Sequence, residues 1–355
     1  NIGEKHSYRE SHTQLDLPRM KEGGLDAVFF AVFIDQKERT PLGYKQARNR
    51  ANELFIEIKA SVDTHPELAE LAKTPEDAHN IEKKGKRAIY IGVENGYPIG
   101  KDLSYLDKYY NMGARYITLC HSSNNDICDS STDPEGPDHN GLSDFGEKVV
   151  ERMNKLGMII DVSHISDEAF FDVIDQTQAP VMASHSCVRA LRDHPRNLSD
   201  SMLTALKENN GVIQICLFSN YLINPEPNPA RDSAMKVLRQ KYNDFEDLSE
   251  ERMAQARKEY NALQKKYPRE LATVKDVVDH IDYVVENVGL KHVGIGTDFD
   301  GGARVEGCMD VSEIDNITRE LLERGYTEEE IEKIWGGNFM RVFREVEAVS
   351  QKFSS

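Results

Sequence analysis

Short apolar runs recur along the chain, separated by longer amphipathic stretches. The runs at 27–34 (AVFFAVFI), 87–93 (RAIYIGV), 116–119 (YITL), 158–160 (MII), 180–183 (PVMA), 211–217 (GVIQICL) and 292–296 (HVGIG) predict seven buried strands. Between them, 47–62, 103–112, 141–156, a segment around Leu203 and 274–288 predict helices. After 158–160, Ala169, Phe170, Val173 and Ile174 fall at i, i+1, i+4 and i+5, the spacing of one helical face. Strands that alternate with helices and are apolar throughout predict a parallel sheet covered on both faces.

Residues 158–186 carry the pattern most clearly: strand, helix, strand, with His164 and His185 each expected just past a strand's carboxyl end. Two imidazoles from neighbouring parallel strands reach the same rim of the sheet. Glu94, His121 and Asp298 also follow strand ends. Five polar residues delivered by five strands favour a barrel, whose active sites are built at the carboxyl rim, over a doubly wound sheet that gathers ligands at one switch point. The expected fold is therefore α/β, a TIM-like (β/α)8 barrel of the metal-dependent hydrolase type, in a single domain over 1–355. Seven strands is one short of eight, so the first strand is expected to be missing from this chain. Residues 225–272 differ in character. Three prolines (Pro225, Pro227, Pro229) precede a charged segment with sparse apolar positions, which predicts a two-helix insert within the domain, forming a lid or an interface. Phe339, Val342, Phe343 and Val346 stripe a last helix as core packing.

Lys+Arg 44 against Asp+Glu 61 gives a net charge of −17, which argues against nucleic acid or an anionic membrane as partner. No apolar window is long enough for a transmembrane helix. The five cysteines form no CxxC pair and read as buried free thiols. The first residues, NIGEKHSYRESH, have neither an initiator methionine nor an apolar signal core, so the start reads as a processed or cut end and an exported or periplasmic setting is expected.

His164, His185 and Glu94 make a zinc-type ligand set, two borderline-soft nitrogens and a carboxylate with room left for water. A carboxylate can also bridge two ions, which together clamp the attacking and leaving oxygens of a hydrolysis. Asp298, in GTDFDGG, suits a general base, although an Asx-turn before Gly301-Gly302 accounts for it as readily. His121 could donate to an oxyanion, and Arg196 could pair with a substrate carboxylate.

Taken together, GVENG (92–96), RYITLCH (115–121), IIDVSH (159–164), PVMASHS (180–186), HPRNL (194–198), HVGIGTDFDGG (292–302) and GGNFMRV (336–342) resemble the membrane (renal) dipeptidase family of zinc metallopeptidases, as found in bacteria. QLDLPRMKEGG (14–24) is similar to its N-terminal segment. The resemblance covers essentially the whole chain and is loosest in the charged insert. It implies a two-zinc barrel that hydrolyses dipeptides, L-L and also L-D, and a homodimer. Glu94 would bridge the zincs, His164 and His185 would ligate the second, and Asp298 would orient or deprotonate the bridging water. His121 would polarise the scissile carbonyl or hold the tetrahedral intermediate, Arg196 would receive the substrate carboxylate, and Tyr221 would line the pocket. One departure stands out: the family's first-site His-x-Asp pair does not occur before Gln14, since neither His6 nor His12 has an Asp two residues later.

Two other readings share these residues. One is a different amide or lactone hydrolase on the same barrel; the other is a catalytically impaired relative that acts in binding through the 225–272 insert.

Overall fold

The computed structural model describes residues 1–245 and 248–354. In chain order the strands are β1 (Ala27–Phe33), β2 (Ala69–Leu71), β3 (Arg87–Glu94), β4 (Ala114–Thr118), β5 (Ile159–Asp161), β6 (Met182–Ser186), β7 (Val212–Cys216), β8 (Ala272–Thr273), β9 (Val293–Gly296) and β10 (Val305–Glu306). Seven of them pair in parallel in the order β1-β3-β4-β5-β6-β7-β9 and curl into a half-barrel; β2 adds to the side of β3 and β8 pairs with β10 alone. These seven are the apolar runs read from the sequence, but β1, an end strand of the open sheet, is not buried as expected: of its residues only Val32 is buried, and Ala31 and Phe33 are exposed. Among the described residues no pairing joins β1 to β9, so the sheet is open between its two end strands.

Alternation along the strands accounts for both layers. On β3, Ile89, Ile91 and Val93 face outward toward the helices, while Ala88, Tyr90, Gly92 and Glu94 face the interior. Gly92 is a glycine because a Cβ there would lie 2.0 Å from the ring of Tyr116, the inward residue of β4. The amino end of the interior is filled by aromatic rings: Phe29 stacks on Tyr90 with centroids 4.8 Å apart and meets Tyr116 at 5.3 Å and Phe339 at 5.4 Å. Phe339, Val342, Phe343 and Val346 come from the last helix (Asn338–Ser354), so the expected stripe plugs the foot of the barrel. With that end closed, chemistry is confined to the carboxyl rim.

Several boundaries differ from the sequence reading. The helix expected from 47 begins at Pro41, because Thr40 caps it by accepting from the Gly43 N–H and proline suits the first turn. β6 starts at Met182 rather than at Pro180, which has no N–H to pair, and it runs on to Ser186. A register shift between Ala183 and Ser186 lets pairing with β7 resume at Ser186↔Ile215. His185 therefore lies inside a strand and not beyond it. His164 stands three residues past β5 with φ 75, in the left-handed region.

Residues 1–26 pack against the sheet through a short helix. A helix at Leu17–Gly23 buries Leu17 and Met20 against Ile89, Val62 and Val311 on the outer side of the sheet. Its Arg19 is buried between Asp16 and Asp310, each at 2.7 Å. Gln14 donates to the carbonyls of Ala303 and Met309 and accepts from the Asp300 N–H at 2.9 Å. The segment thus ties the β1–β3 side of the sheet to the loop after β9.

The insert forms two helices, Pro229–Lys241 and Glu250–Lys266, which share a small core of Leu238, Tyr242 and Ala256. Positions 246 and 247 of it lie outside the described residues. Among the described residues no helix is long and apolar enough to cross a membrane. All five cysteines are free and buried, as expected.

Candidate active site

Every residue singled out from the sequence lies at the carboxyl rim. Glu94 ends β3; His121, His164 and Asp298 follow β4, β5 and β9; His185 is the fourth residue of β6; Arg196 lies in the loop beyond it; and Tyr221 is in a short helix, Ser219–Leu222, after β7.

The ligand atoms of Glu94, His164 and His185 all lie within 4.8 Å of one another. Glu94 Oε1 is 3.5 Å from Nε2 of each histidine, and the two Nε2 atoms are 2.8 Å apart. All three groups are largely withdrawn from water. Burial pushes the Glu94 carboxyl up to about 8, with Asp298 and Asp161 adding to the rise and Arg196 opposing it. Burial also holds both imidazoles well below their ordinary value, with the Arg196 charge as second cause. Two neutral imidazoles and one carboxylate that aim their lone pairs at one point, with no cationic side chain between them, fit a divalent cation of borderline softness.

His185 is fixed from behind. Its Nδ1 is 2.7 Å from Ser184 Oγ, which donates to Asp161 Oδ2 at 2.6 Å. Asp161, fully buried at the end of β5, also accepts from Thr118 Oγ1 at 2.5 Å and from the Ser163 and Ser184 N–H groups at 3.0 and 2.9 Å. Thr118, Asp161 and Ser184 form a polar layer directly beneath the ligands. Sequence reasoning assigns them no role. The signal that could have found them is their inward register on three successive strands, β4, β5 and β6.

His121 lies over His164 with ring centroids 4.3 Å apart, touches Phe33 at 5.0 Å, and has its Nε2 3.9 Å from Glu94 Oε1. Burial, followed by the Arg196 charge, pulls it down to about 4, so near neutral pH it is an uncharged donor. Arg196 is buried: Nη2 donates to the His185 carbonyl at 3.0 Å, Nη1 to Ser186 Oγ at 3.4 Å, and its guanidinium lies 5.3 Å from the Tyr221 ring centroid. Its Nε is buried with no partner among the described residues. Asp298 has φ 56, and its carbonyl accepts from the Gly301 N–H at 3.1 Å. The turn here is therefore made by the backbone and is not the Asx-turn read from the sequence, while burial raises the side-chain carboxyl to about 6. The rim thus holds a cation-shaped ligand set, a near-neutral acid, a neutral imidazole donor and a guanidinium.

Residues 2–355 match the sequence profile of the membrane dipeptidases, peptidase family M19. The chain is 35% identical over 349 residues to dipeptidase tcpJ of Claviceps purpurea, covering 95% of this chain and 71% of that protein. It is 31% identical to dipeptidase aclJ of Aspergillus oryzae, covering 99% of this chain and 76% of that protein. Among solved structures, the probable dipeptidase PvdM from Pseudomonas aeruginosa superposes with a TM-score of 0.83 at 35% identity, over 95% of this chain and 90% of that one. The fold and the convergent rim residues agree with these likenesses: the chain belongs to the membrane dipeptidase family, peptidase family M19, and is a metal-dependent dipeptide hydrolase.

Proposed function

We propose that the cation is zinc, held by Glu94, His164 and His185, and that the substrates are free dipeptides of both L-L and L-D configuration. The observation that carries the reading is the convergence of these three ligand atoms within 4.8 Å in a buried rim site, beside a guanidinium with an unpartnered Nε. A divalent cation at such ligands supplies Lewis acidity, polarising a carbonyl and making water nucleophilic at neutral pH.

The chain's own groups do the rest. Arg196 takes the substrate's free carboxylate through its unpartnered Nε and fixes which end of the dipeptide enters; Tyr221 backs the guanidinium. His121, neutral at working pH, donates an N–H to the oxygen of the scissile carbonyl as it gains charge. Asp298 accepts a proton from the attacking water as its oxygen bonds to the carbonyl carbon, then returns it to the amine nitrogen as the C–N bond breaks. A carboxyl near 6 suits both directions of that transfer.

The same reading includes a second cation, to which Glu94 would offer a carboxylate oxygen. A homodimer is proposed by the family likeness. The test is hydrolysis of a panel of L-L and L-D dipeptides, with N-acylated and C-amidated controls, after chelation and after return of zinc. Cleavage of the free dipeptides alone, lost on chelation and restored by zinc, is expected. Equal cleavage of the blocked compounds would overturn the dipeptide assignment.

A further inference from the structure

Three features outside the ligand set could carry a function: the outer face of the two-helix insert, the buried Asp16–Arg19–Asp310 ion pairs, and the polar layer beneath the ligands. The insert's outer face has nothing to show what would cover it. The ion pairs hold the N-terminal segment and point to no ligand. The layer has a chemical consequence.

We propose that Asp161 and Ser184 are positioning residues that set the tautomer of His185, so that its Nε2 presents a lone pair to the cation. The inference rests on the metal site proposed above. Four donors converge on the Asp161 carboxyl and make it their common acceptor: two backbone N–H groups at 2.9 and 3.0 Å and the Thr118 and Ser184 hydroxyls at 2.5 and 2.6 Å. A serine has one hydroxyl proton. Once it is committed to Asp161, Ser184 Oγ can only accept from its other close neighbour, His185 Nδ1 at 2.7 Å. Nδ1 must then carry the imidazole proton, and Nε2 is left bare. The backbone that carries the ring is held independently, because the main-chain N–H of His185 donates to Ser163 Oγ at 3.0 Å and Ser163 Oγ lies 3.1 Å from Ser186 Oγ. Outer hydrogen bonds of this kind raise the affinity of a histidine ligand for its metal.

Two substitutions separate this role from mere filling of space. Ser184→Ala removes the acceptor and leaves Nδ1 unpaired. Asp161→Asn keeps the shape but reverses the polarity: the amide Nδ2 donates to the hydroxyls, Ser184 turns its proton toward His185 Nδ1, and the imidazole proton moves to Nε2, where it blocks the cation. Zinc binding by calorimetry should weaken by ~10–100-fold in Ser184→Ala and at least as much in Asp161→Asn, with metal-free thermal midpoints close to wild type. Long-range ¹H–¹⁵N spectra of zinc-loaded wild type should show His185 protonated at Nδ1 and ligated through Nε2, a reading that needs no variant to fold. Zinc affinity unchanged in both variants, or wild-type ligation through Nδ1, would overturn the relay while leaving the site intact. Wild type that takes up no divalent cation would overturn the site itself, and the relay with it.

Discussion

Nε2 of His164 and Nε2 of His185 lie 2.8 Å apart, and each is 3.5 Å from the same oxygen of Glu94. Two neutral imidazoles so placed either share one ring proton in an Nε2–H···Nε2 hydrogen bond or turn both lone pairs to a cation. The backbone accepts a cost to achieve this, since His164 is held at φ 75, a region that non-glycine residues avoid by roughly 1 kcal/mol or more.

Removing either imidazole should therefore remove the metal before it removes the fold. His164→Ala and His185→Ala are each expected to lower zinc affinity by more than ~100-fold, beyond what loss of an outer partner does. Dipeptide hydrolysis should fall to background. Metal content after dialysis and circular dichroism, taken on the same samples, check both halves of this prediction.

The pH dependence of the metal-free protein follows from Glu94. Unfolded, its carboxyl ionises near 4.5; folded, it keeps its proton up to about 8. The folded state binds more protons across that range, so this contribution to stability is complete below about 4.5 and is lost as pH rises through about 8. His164 and His185 are held below 6.5 in the fold and so are neutral in both states above it. Between pH ~6.5 and ~8 the chelated wild type should lose about 1.4 kcal/mol per pH unit relative to Glu94→Gln. Urea midpoints of the two proteins across that range measure the difference, and parallel curves would refute it.

Arg196 is expected to act on binding of the substrate's carboxylate end. Arg196→Leu should lower kcat/KM for free dipeptides by ~10–100-fold, the worth of a hydrogen bond to a charged group, mostly through KM. C-amidated dipeptides, poor substrates of the wild type, should be affected far less. An equal loss on both substrates would remove the carboxylate role.

Gly296 tests how tightly the rim is built. A Cβ on this last residue of β9 would lie 1.9 Å from the Ser184 carbonyl oxygen, a backbone atom that cannot swing away. Gly296→Ala should cost ~1–3 kcal/mol and weaken zinc binding as well, because Ser184 adjoins His185. Gly336→Ala, with no atom within 4 Å of its Cβ position, should leave both unchanged. Thermal melts with and without zinc compare the pair.

Much of this is legible before folding. The seven runs of the half-barrel, the two helices of the insert and the last-helix stripe can be read from period alone, because burial on one or both faces must repeat every two residues in a strand and about every 3.6 in a helix. Glu94, His121, His164, His185 and Asp298 stand out because a polar side chain at the end of an apolar run falls on the rim where a parallel barrel builds its sites. Arg196 stands out because a guanidinium matches a carboxylate. Less is legible where non-local pairing decides. The continuation of β6 through His185 depends on a register shift against β7, and the burial of Arg19 depends on Asp310, far along the chain.

By itself the sequence determined the α/β alternation, the rim that carries chemistry and the residue types available there. Those follow from local periodicity and from the side chains' own donors and acceptors. Only the tertiary structure decided that Glu94, His164 and His185 meet around one point, that Arg196 keeps a buried unpartnered N–H beside them, and that Thr118, Asp161 and Ser184 form one layer under His185. Distances between side chains on different strands depend on strand order, register and curl, which are set by packing across the whole sheet and are not properties of any one segment.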